Sequence, residues 1–480
     1  MVRIGVVGGE CVVITAAVKV WRTYSSSSYF SWSLVTRGHQ TLLTRMASGL
    51  AGQRYDLVVF GATGYTGQFV VEEVARTAQQ ERSQGKVPLS WAIAGRSEKK
   101  LQDVLTTAKK ETGLSLEDVG LVLADVSDQK SLNEMAAKSN VVINCVGPYQ
   151  LYGEPVVQAC VENGANHVDI SGETLFMESM QLKYNKAAEK AGVHIVNACG
   201  YDSIPADLGI RHMIRNFKGE LNSVEMFVQT SGGSSKSAIH TGTMESAALV
   251  IANRSKVGAI RRELFPTPLP KPKYKVAKKG FLYKNDTLGY WGVSFPSDEP
   301  VVYRTQRYRH EMLGERPIQF QQFIRMPSLL HGAMLIIGMA YFFLLSSFAW
   351  TRNLLFKYPD ILTAGLFKKA GAERESLKNL KFTVTQIGHG WSEKLAEGSD
   401  EYASPPDSSI IVKVKGPDPG YGATSIMMVS AAMTILREKS LCAEKGGVMT
   451  PGIAFANTGI IERMCERGMS FTVEQEQQKN

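Results

Sequence analysis

The chain has 480 residues, 44% hydrophobic and 21% charged, so it is too long for one ordinary core and should form two domains or one enlarged α/β domain. Its 54 basic and 45 acidic side chains give a net charge of +9, which is mild for this length and fits an anionic cofactor or a membrane surface. No zinc-finger spacing, RNA-binding signature or arginine-rich helix is present, so we predict no nucleic-acid partner and no metal site.

The first 52 residues differ in composition from the rest of the chain. They hold one acid, Glu10, against several arginines, with a serine run at residues 25–28. This bias predicts a disordered extension or a targeting segment of mitochondrial type, whereas a translation start at Met46 would leave the segment without a structural role. Six cysteines without C-x-x-C pairs indicate reduced thiols and an intracellular protein.

Residues 55–67, YDLVVFGATGYTG, form the stretch around which the rest is organised. A short apolar run enters three glycines spaced G-x-x-G-x-x-G, and an amphipathic helical pattern follows. Gly61 allows a sharp turn, Gly64 allows a pyrophosphate to approach the backbone, and Gly67 allows the helix to pack closely on the strand. Because free N–H groups at the helix start attract phosphate, the whole turn is a predicted cofactor site: Gly61, Ala62, Thr63, Gly64, Tyr65, Thr66 and Gly67.

Strand-like runs alternate with helical segments over the first half of the chain. The runs lie at residues 55–60, 89–94, 120–124, 141–144, 167–170 and 194–198. Such alternation predicts a Rossmann-type, doubly wound parallel sheet of the α/β class with helices on both faces. A ligand is then expected beyond the carboxyl ends of the strands.

The second predicted strand ends in Ala94-Gly95-Arg96. A chain selecting NAD would place an acid there for the ribose hydroxyls, whereas an arginine can pair with a 2′-phosphate. NADP is therefore preferred over NAD as the cofactor. Ser97 and Asp125, the latter closing the third strand, are further candidates for cofactor contact.

The fourth and sixth strands end in segments with candidate pocket residues. Asn144, Gly147 and Tyr149 lie at the end of the fourth strand and just after it. The Gly-Pro pair there turns the backbone across the sheet edge, at the expected position of a nicotinamide. Tyr201 and Asp202 follow the sixth strand and are the predicted catalytic residues. The alternative is that Asp202 or Ser203 only caps the next helix.

Other polar residues at these strand ends have competing interpretations. Cys145 has no histidine nearby in sequence, which favours a buried thiol over a nucleophile. Asp169 and Glu173 either line the pocket or cap the helix that starts near residue 175. His240 is a possible proton donor, although an exposed or internally bonded imidazole is the commoner situation.

Six separated motifs resemble one known family. VVFGATGYTG, AGRS, NCVGPYQLYGEPVVQAC, HVDISGE, GYDSIPADLG and GGVMTPGIAF occur in the order of the saccharopine dehydrogenase-like oxidoreductases of animals. The resemblance covers residues 55–473 and implies a Rossmann domain completed by C-terminal helices, with a mixed α/β domain inserted. We place the Rossmann domain at residues 53–215, the inserted domain at 216–420 and the C-terminal helices at 421–474. The resemblance does not identify a substrate for this chain. Relatives that reduce lipid-linked substrates are equally good guides to it.

An uncharged apolar region lies in the predicted inserted domain. No Asp, Glu, Lys or Arg occurs between Arg325 and Arg352, and residues 335–345 are almost wholly apolar. A second apolar run at 354–367 is interrupted by charge, so the sequence predicts a helical hairpin at about 328–367 on a membrane or lipid surface. The alternatives are a buried core or oligomer helix and a full membrane span. Basic residues among prolines at 261–280 form either a solvated loop or a site for anionic lipid.

The leading hypothesis is an NADP-dependent oxidoreductase that transfers hydride to or from an unidentified, lipid-linked substrate on a membrane or lipid-droplet surface. The rival is a non-catalytic dinucleotide-binding scaffold or redox sensor on lipid, and a true saccharopine dehydrogenase is less favoured. Lipid droplets are the expected location and mitochondria the alternative. The sequence is compatible with a homodimer.

Overall fold

The computed structural model describes residues 54–233, 238–285, 288–394, 402 and 404–478. The predicted N-terminal extension lies outside the described residues. The first half of the described chain alternates strands and helices in this order: β1 (Tyr55–Phe60), α1 (Tyr65–Ser83), β2 (Trp91–Gly95), α2 (Glu98–Thr112), β3 (Gly120–Leu123), α3 (Gln129–Ala137), β4 (Ser139–Asn144), α4 (Tyr149–Asn163), β5 (Asn166–Asp169), α5 (Thr174–Ala191), β6 (His194–Val196) and α6 (Ile204–Asn216).

The middle of the chain mixes longer strands with helices. Its elements are β7 (Glu220–Ser231), β8 (Ile239–His240), α7 (Thr241–Leu264), β9 (Leu282–Asn285), β10 (Tyr290–Ser294), α8 (Glu299–Leu313), β11 (Gln319–Met326), α9 (Leu329–Ser347), α10 (Ala349–Lys357), α11 (Pro359–Leu362), β12 (Phe367–Lys368), α12 (Arg374–Leu377), β13 (Lys381–Trp391) and β14 (Ser408–Pro417). The C-terminal part contributes α13 (Gly422–Arg437), β15 (Gly447–Met449), α14 (Pro451–Ala454), α15 (Ile460–Cys465) and β16 (Ser470–Gln478).

Sheet A is a seven-stranded parallel sheet with the order β15-β6-β5-β4-β1-β2-β3. The strand order reverses between β1 and β4, which creates the crevice where α/β sheets bind nucleotides. The predicted α/β class with a Rossmann-type sheet is therefore confirmed.

Both faces of sheet A are apolar because successive residues of β1 point to opposite sides. Leu57 and Val59 pack into the cluster that contains α1, α2 and α13, whereas Val58 and Phe60 pack into the cluster that contains α3, α4 and α5. This two-sided burial explains why the strand reads as a continuous apolar run rather than an alternating one.

Sheet B is a second seven-stranded sheet with the order β16-β14-β13-β7-β11-β10-β9. Its strands pair antiparallel except for β7 with β11. The predicted strands at 224–228, 381–388 and 409–414 all belong to it. One face of β13 and β14 shares an apolar cluster with α6 and α13, so a single core connects the two sheets.

The C-terminal segment differs from the prediction. Residues 421–474 were expected to be helices that return to the Rossmann domain, yet β15 adds a seventh strand to sheet A and β16 adds an edge strand to sheet B. Three-residue strands such as β15 carry too little periodicity to be recognised from sequence. Because the core runs across residues 215 and 420, the domain boundaries placed there stay a prediction.

Helix α9 is the one helix in the described part of the chain that is long and apolar enough to cross a membrane by length and composition. Only 11% of its apolar window is buried in the structure. This exposure contradicts the alternative that it is a core helix of the isolated chain. It packs against α7, α10 and β10, and a side chain at Gly332 would collide with Leu282.

Candidate active site

The glycine turn between β1 and α1 has the geometry that its sequence predicts. Gly61 has φ of +81°, a left-handed conformation that disfavours side chains, and a Cβ there would lie 2.7 Å from Val146. A Cβ on Gly67 would lie 2.2 Å from the carbonyl oxygen of Gly61, so only glycine lets α1 approach the turn this closely. Gly64 is exposed, which leaves the turn open to a ligand.

Helix α1 starts without a side-chain cap, because its N-cap residue is Gly64. The N–H groups of its first turn have no carbonyl one turn earlier to bond, so they are available to an acceptor in the crevice. The turn residues around them fit a diphosphate: Ala62 is buried beneath, and Thr63 lies beside the end of β2 near Gly95.

Arg96, Ser97 and Asp125 gather at the ends of β2 and β3. Arg96 is exposed, and Ser97 is the N-cap of α2, where its hydroxyl accepts the Lys100 N–H at 3.5 Å. Hydrogen bonds from Ser127 lower the pKa of Asp125, and the nearby positive charge of Arg96 adds to this effect. The structure thus brings together three of the residues that were predicted to contact the cofactor.

Asn144 and Tyr149 do not present their side chains to the crevice. The Asn144 carboxamide accepts the Val146 N–H at 3.0 Å and lies 3.4 Å from His167 in the core. The Tyr149 hydroxyl donates to the Asn144 carbonyl oxygen at 2.9 Å and accepts the Ile170 N–H at 3.3 Å. Their positions therefore do not support the predicted cofactor contacts. Gly147, by contrast, is exposed at the sheet edge.

Tyr65 also points away from the crevice. Its hydroxyl donates to the Ala372 carbonyl oxygen at 2.6 Å, and its ring stacks on His240 with centroids 5.3 Å apart. Only the backbone of Tyr65 is placed to meet a phosphate. His240 itself caps α7 by accepting the Gly242 N–H at 3.1 Å, and burial lowers its pKa, so the structure favours the internally bonded imidazole over the proton donor.

Tyr201 and Asp202 lie where the carboxyl edge of sheet A meets sheet B. The Tyr201 ring packs edge-on against Phe382 of β13 at 4.8 Å, and its N–H donates to the Thr424 hydroxyl of α13. A Cβ on Gly172, beyond the end of β5, would lie 3.7 Å from the Asp202 carboxylate. The turn that follows β6 is thus held between both sheets.

Asp202 lies in the turn between β6 and α6, beyond the carboxyl edge of sheet A. The residue is exposed to solvent, yet surrounding protein desolvates the carboxyl and raises its pKa. Helix α6 begins at Ile204 with Ser203 as its N-cap and no side-chain cap bond, so the alternative capping role is not observed. An exposed carboxyl with a raised pKa in a crevice is suited to proton transfer.

Two buried charged residues beside this turn, Asp298 and Arg304, were not identified from the sequence. Asp298, the N-cap residue of α8, is 4% exposed, and burial together with the charge of Asp202 raises its pKa well above the usual range. Arg304, nearly two turns further along α8, is 3% exposed and donates through Nε to Gln181. The run Ser297-Asp298-Glu299-Pro300 signals a helix start, but no local pattern reveals that this helix lies beside the β6 turn.

Asp169 and Glu173 have structural roles that differ from both predicted ones. Asp169 is fully buried, and its carboxylate accepts the N–H groups of Ser171 and Ala198 at 3.0 Å, which fixes the start of the turn that carries Asp202. Burial raises the pKa of Asp169 to about 6. Glu173 caps α4 rather than α5: its two oxygens accept the N–H groups of Tyr149 and Gln150, each at 2.8 Å.

The cysteine predicted to be inert is indeed unsuited to catalysis. Burial raises the pKa of Cys145 to about 12, which keeps the thiol protonated, and its Sγ lies 3.9 Å from the sulfur of Met428. Cys145 and the four other cysteines in the described part of the chain are free.

Helix α7 covers the carboxyl edge of sheet A. Ser246 donates to Glu173 at 2.8 Å, Asn253 donates to Gln150 at 2.9 Å, and Arg261 forms an ion pair with Glu178 at 2.6 Å. These bonds hold α7 over the starts of α4 and α5. Helix α7 therefore lies beside the carboxyl edge of sheet A, on the side where α4 and α5 begin.

Residues 57–196 match the family model described as the saccharopine dehydrogenase NADP binding domain. This range contains the glycine turn and Arg96, and the match supports NADP as the cofactor, as predicted from the sequence.

The chain aligns with nearly the whole length of several curated relatives. A Homo sapiens saccharopine dehydrogenase-like oxidoreductase is 42% identical over 424 residues, 87% of this chain and 97% of that protein. A Caenorhabditis elegans protein named as lipid droplet localized is 39% identical over 428 residues, 88% of this chain and 99% of that protein. An Arabidopsis thaliana protein, provisionally named a mitochondrial saccharopine dehydrogenase-like oxidoreductase, is 35% identical over 443 residues, 87% of this chain and 96% of that protein. The chain therefore belongs to the saccharopine dehydrogenase-like oxidoreductases, a family of NADP-binding oxidoreductases, as its motifs implied.

Proposed function

We propose that this NADP-dependent oxidoreductase reduces or oxidises a lipid-linked substrate while it is bound to a lipid surface inside the cell. The observation that carries the catalytic part is the position of Asp202, an exposed residue at the carboxyl edge of sheet A beside Gly172, together with the raised pKa that desolvation gives its carboxyl. In this proposal the α1 start and residues 61–67 bind the diphosphate, and Arg96 binds the 2′-phosphate.

The cofactor supplies the hydride, and the protein supplies position and a proton. Asp202 is the group that exchanges the proton with the substrate oxygen or carbon, because it is titratable, open to the crevice and close to the end of β5. Since the protonated carboxyl is the donor, carbonyl reduction should slow as the pH rises through the raised pKa of Asp202.

Six exposed side chains of α9 and the following turn form what we call the apolar stripe: Leu330, Met334, Ile337, Tyr341, Leu344 and Phe348. They recur at alternating spacings of four and three residues, so they lie on one side of the helix. Ile337 of the stripe and the nearby Trp350 are each 69% exposed. Such contiguous exposure of large apolar side chains to water is unfavourable and is typical of a binding surface.

A lipid surface is the occupant that this region fits. Tyr341, Trp350 and Tyr358 are exposed aromatic groups of the kind that prefer a membrane–water boundary. Cations flank the apolar helices: Arg254 lies 4.7 Å above the Phe343 ring, and Lys357 lies beside Tyr358. Anionic lipid head groups would pair with these cations while acyl chains cover the stripe. The name of the Caenorhabditis elegans relative supports a lipid droplet as this surface.

A turnover assay tests the catalytic part. NADPH oxidation by the full chain is followed with vesicles that contain ketoacyl or enoyl lipids, and with saccharopine. We expect oxidation with one of the lipids, and Asp202→Asn should slow it by about 100-fold or more without weakening NADPH binding. The same change at the exposed Asp118 is the matched control. NADPH binding without oxidation of any substrate would contradict catalysis and favour the rival, a redox sensor on lipid.

Vesicle flotation tests the lipid part. Replacing Ile337 and Leu344 together by Ser removes two exposed apolar side chains, which should weaken vesicle binding by about 100-fold or more, since burying each contributes about 1.5–3 kcal/mol. Ala340→Ser, on the same exposed helix, is the control and should float like the wild type. Unchanged flotation of the double variant would contradict the lipid role of the stripe, and a lower oligomeric state of the variant in solution would instead identify the stripe as an oligomer contact.

A further inference from the structure

The start of α1 is in contact with the segment that leaves the apolar helices. Tyr65, the first residue of α1, bonds the Ala372 carbonyl through its hydroxyl and stacks on His240. Its ring also lies edge-on to Tyr421 at 4.6 Å. Gly371, with φ of +71°, passes so close that a Cβ would lie 2.6 Å from the Tyr65 ring. The ring is thus fixed by three segments that are remote from it in sequence.

Two of these segments are joined by a two-stranded sheet, of which β12 directly follows the apolar helices and β8 directly precedes α7. Strand β12 pairs in parallel with β8, so Phe367 stands opposite Ile239 and Lys368 opposite His240. The Ile239 N–H donates to the Leu366 carbonyl oxygen at 2.8 Å. The His240 ring is bonded to the backbone of Lys369 as well. Any movement of residues 366–369 therefore moves His240, on which Tyr65 stacks.

The apolar helices and β12 belong to one hydrophobic cluster. Leu355 of α10 is fully buried with Met244 and Ala248 of α7, and Phe342, Phe367 and other apolar residues pack around them. The Phe342 and Phe367 rings are stacked with centroids 6.2 Å apart. Phe367 therefore connects the apolar helices to the two-stranded sheet.

We infer that contact with a lipid surface and binding of the dinucleotide at the α1 start are coupled through Phe367, His240 and Tyr65. The inference rests on the proposed function, because it needs both the cofactor at the glycine turn and lipid on the apolar stripe. Lipid covers the stripe and holds α9 and α10 in one position, which orders residues 366–372. The α1 start is then already fixed when a diphosphate arrives, so less conformational freedom is lost on binding.

The coupling is reciprocal, as any linkage between two binding equilibria must be. Lipid should tighten NADPH binding, and NADPH should tighten lipid binding by the same factor. We expect a factor of about five or more, the lower end of the usual range for coupled sites.

The test measures NADPH affinity of the full chain by nicotinamide fluorescence, with and without vesicles of phosphatidylcholine and phosphatidylserine. Vesicle flotation with and without NADPH gives the reciprocal measurement. Equal increases of about fivefold or more in both affinities support the inference. Two affinities that do not respond to each other overturn it, while the proposed function stands because each ligand still binds. Absence of vesicle binding would overturn the lipid part of the proposed function and the coupling with it.

Phe367→Ala tests the route. It removes the contact between the helices and β12 but leaves the apolar stripe and the Tyr65 contacts in place. Lipid-free NADPH affinity and vesicle binding should both persist, while the effect of lipid on NADPH affinity should disappear. Phe281→Ala, at a side chain that is 75% exposed and outside this cluster, is the matched control and should keep the effect. A Phe367→Ala protein that keeps the full lipid effect would exclude this route.

Discussion

Arg96 is the residue on which the choice between NADP and NAD depends. It follows β2, the strand next to β1, and stands close enough to Asp125 to lower that carboxyl's pKa together with the bonds from Ser127. No acid occupies its position to accept from ribose hydroxyls, and its exposed guanidinium is free to orient toward a phosphate.

Replacing Arg96 by Ala should weaken NADPH binding by about tenfold to 100-fold and leave NADH binding nearly unchanged. The reason is that hydrogen bonds to a charged phosphate contribute about 1.5–3 kcal/mol, and NADH lacks that phosphate. Fluorescence titration of both cofactors measures the two losses. Lys99→Ala, which removes an exposed cation from the first turn of the following helix α2, serves as the control. Equal loss for the two cofactors would remove Arg96 from the phosphate site.

Tyr149 shows the limit of residue-level reasoning. Its place after a strand and a Gly-Pro pair correctly predicts the sheet edge, but the direction of its side chain depends on Phe176, which packs against the ring at 5.5 Å, and on Ile170, which donates to its hydroxyl. Both partners are more than twenty residues away. A local pattern therefore locates the backbone of such a residue and leaves its side-chain contacts undetermined.

At the scale of elements, the packing of α1 against β1 depends on one close approach between the helix and the glycine turn. The Gly61 carbonyl occupies the space where a side chain at Gly67 would lie, at 2.2 Å from its Cβ. Real Cβ atoms do not tolerate such a distance to backbone, so any side chain must push the helix away from the turn.

We expect Gly67→Ala to lower the free energy of unfolding by about 2 kcal/mol or more and to weaken NADPH binding, because the shifted helix no longer directs its N–H groups at the diphosphate. Urea unfolding and NADPH titration measure the two effects. Gly258→Ala is the control: that glycine is exposed on α7, with only the flexible end of Arg262 nearby, and alanine there should add about 0.5–1 kcal/mol. A Gly67→Ala protein as stable as wild type would contradict the close packing.

At the scale of the whole molecule, α1 is tied to distant parts of the chain by buried ion pairs. Its three buried glutamates each meet an arginine from another segment, in the pairs Glu72–Arg374, Glu73–Arg467 and Glu81–Arg437. The nucleotide-binding helix is therefore held by residues that follow the apolar helices and by the C-terminal part.

Replacing Arg467 by Ala should lower the free energy of unfolding by roughly 2 kcal/mol, because the buried Glu73 carboxylate then loses its two short hydrogen bonds and keeps only Arg76, at 3.8 Å, as a counter-charge. Adding Glu73→Gln should recover part of this loss, since the buried, weakly compensated charge is then gone. Urea unfolding of the two variants measures the recovery. Arg82→Ala, an exposed arginine at the end of α1, is the control and should change stability by less than about 0.5 kcal/mol. No recovery in the double variant would show that the pair acts through packing instead.

The sequence by itself determined the parallel sheet, the glycine turn, the basic residue after β2 and the apolar region at 328–367, because periodicity, glycine spacing and the absence of charge are local properties of a chain. Tertiary structure alone decided that Glu173 caps α4, that Asn144 and Tyr149 point inward, that β15 and β16 complete the two sheets, and that Tyr65 contacts the segment after the apolar helices. These features join residues far apart in sequence. Such contacts are fixed by packing and by the satisfaction of buried polar groups, which no local pattern encodes.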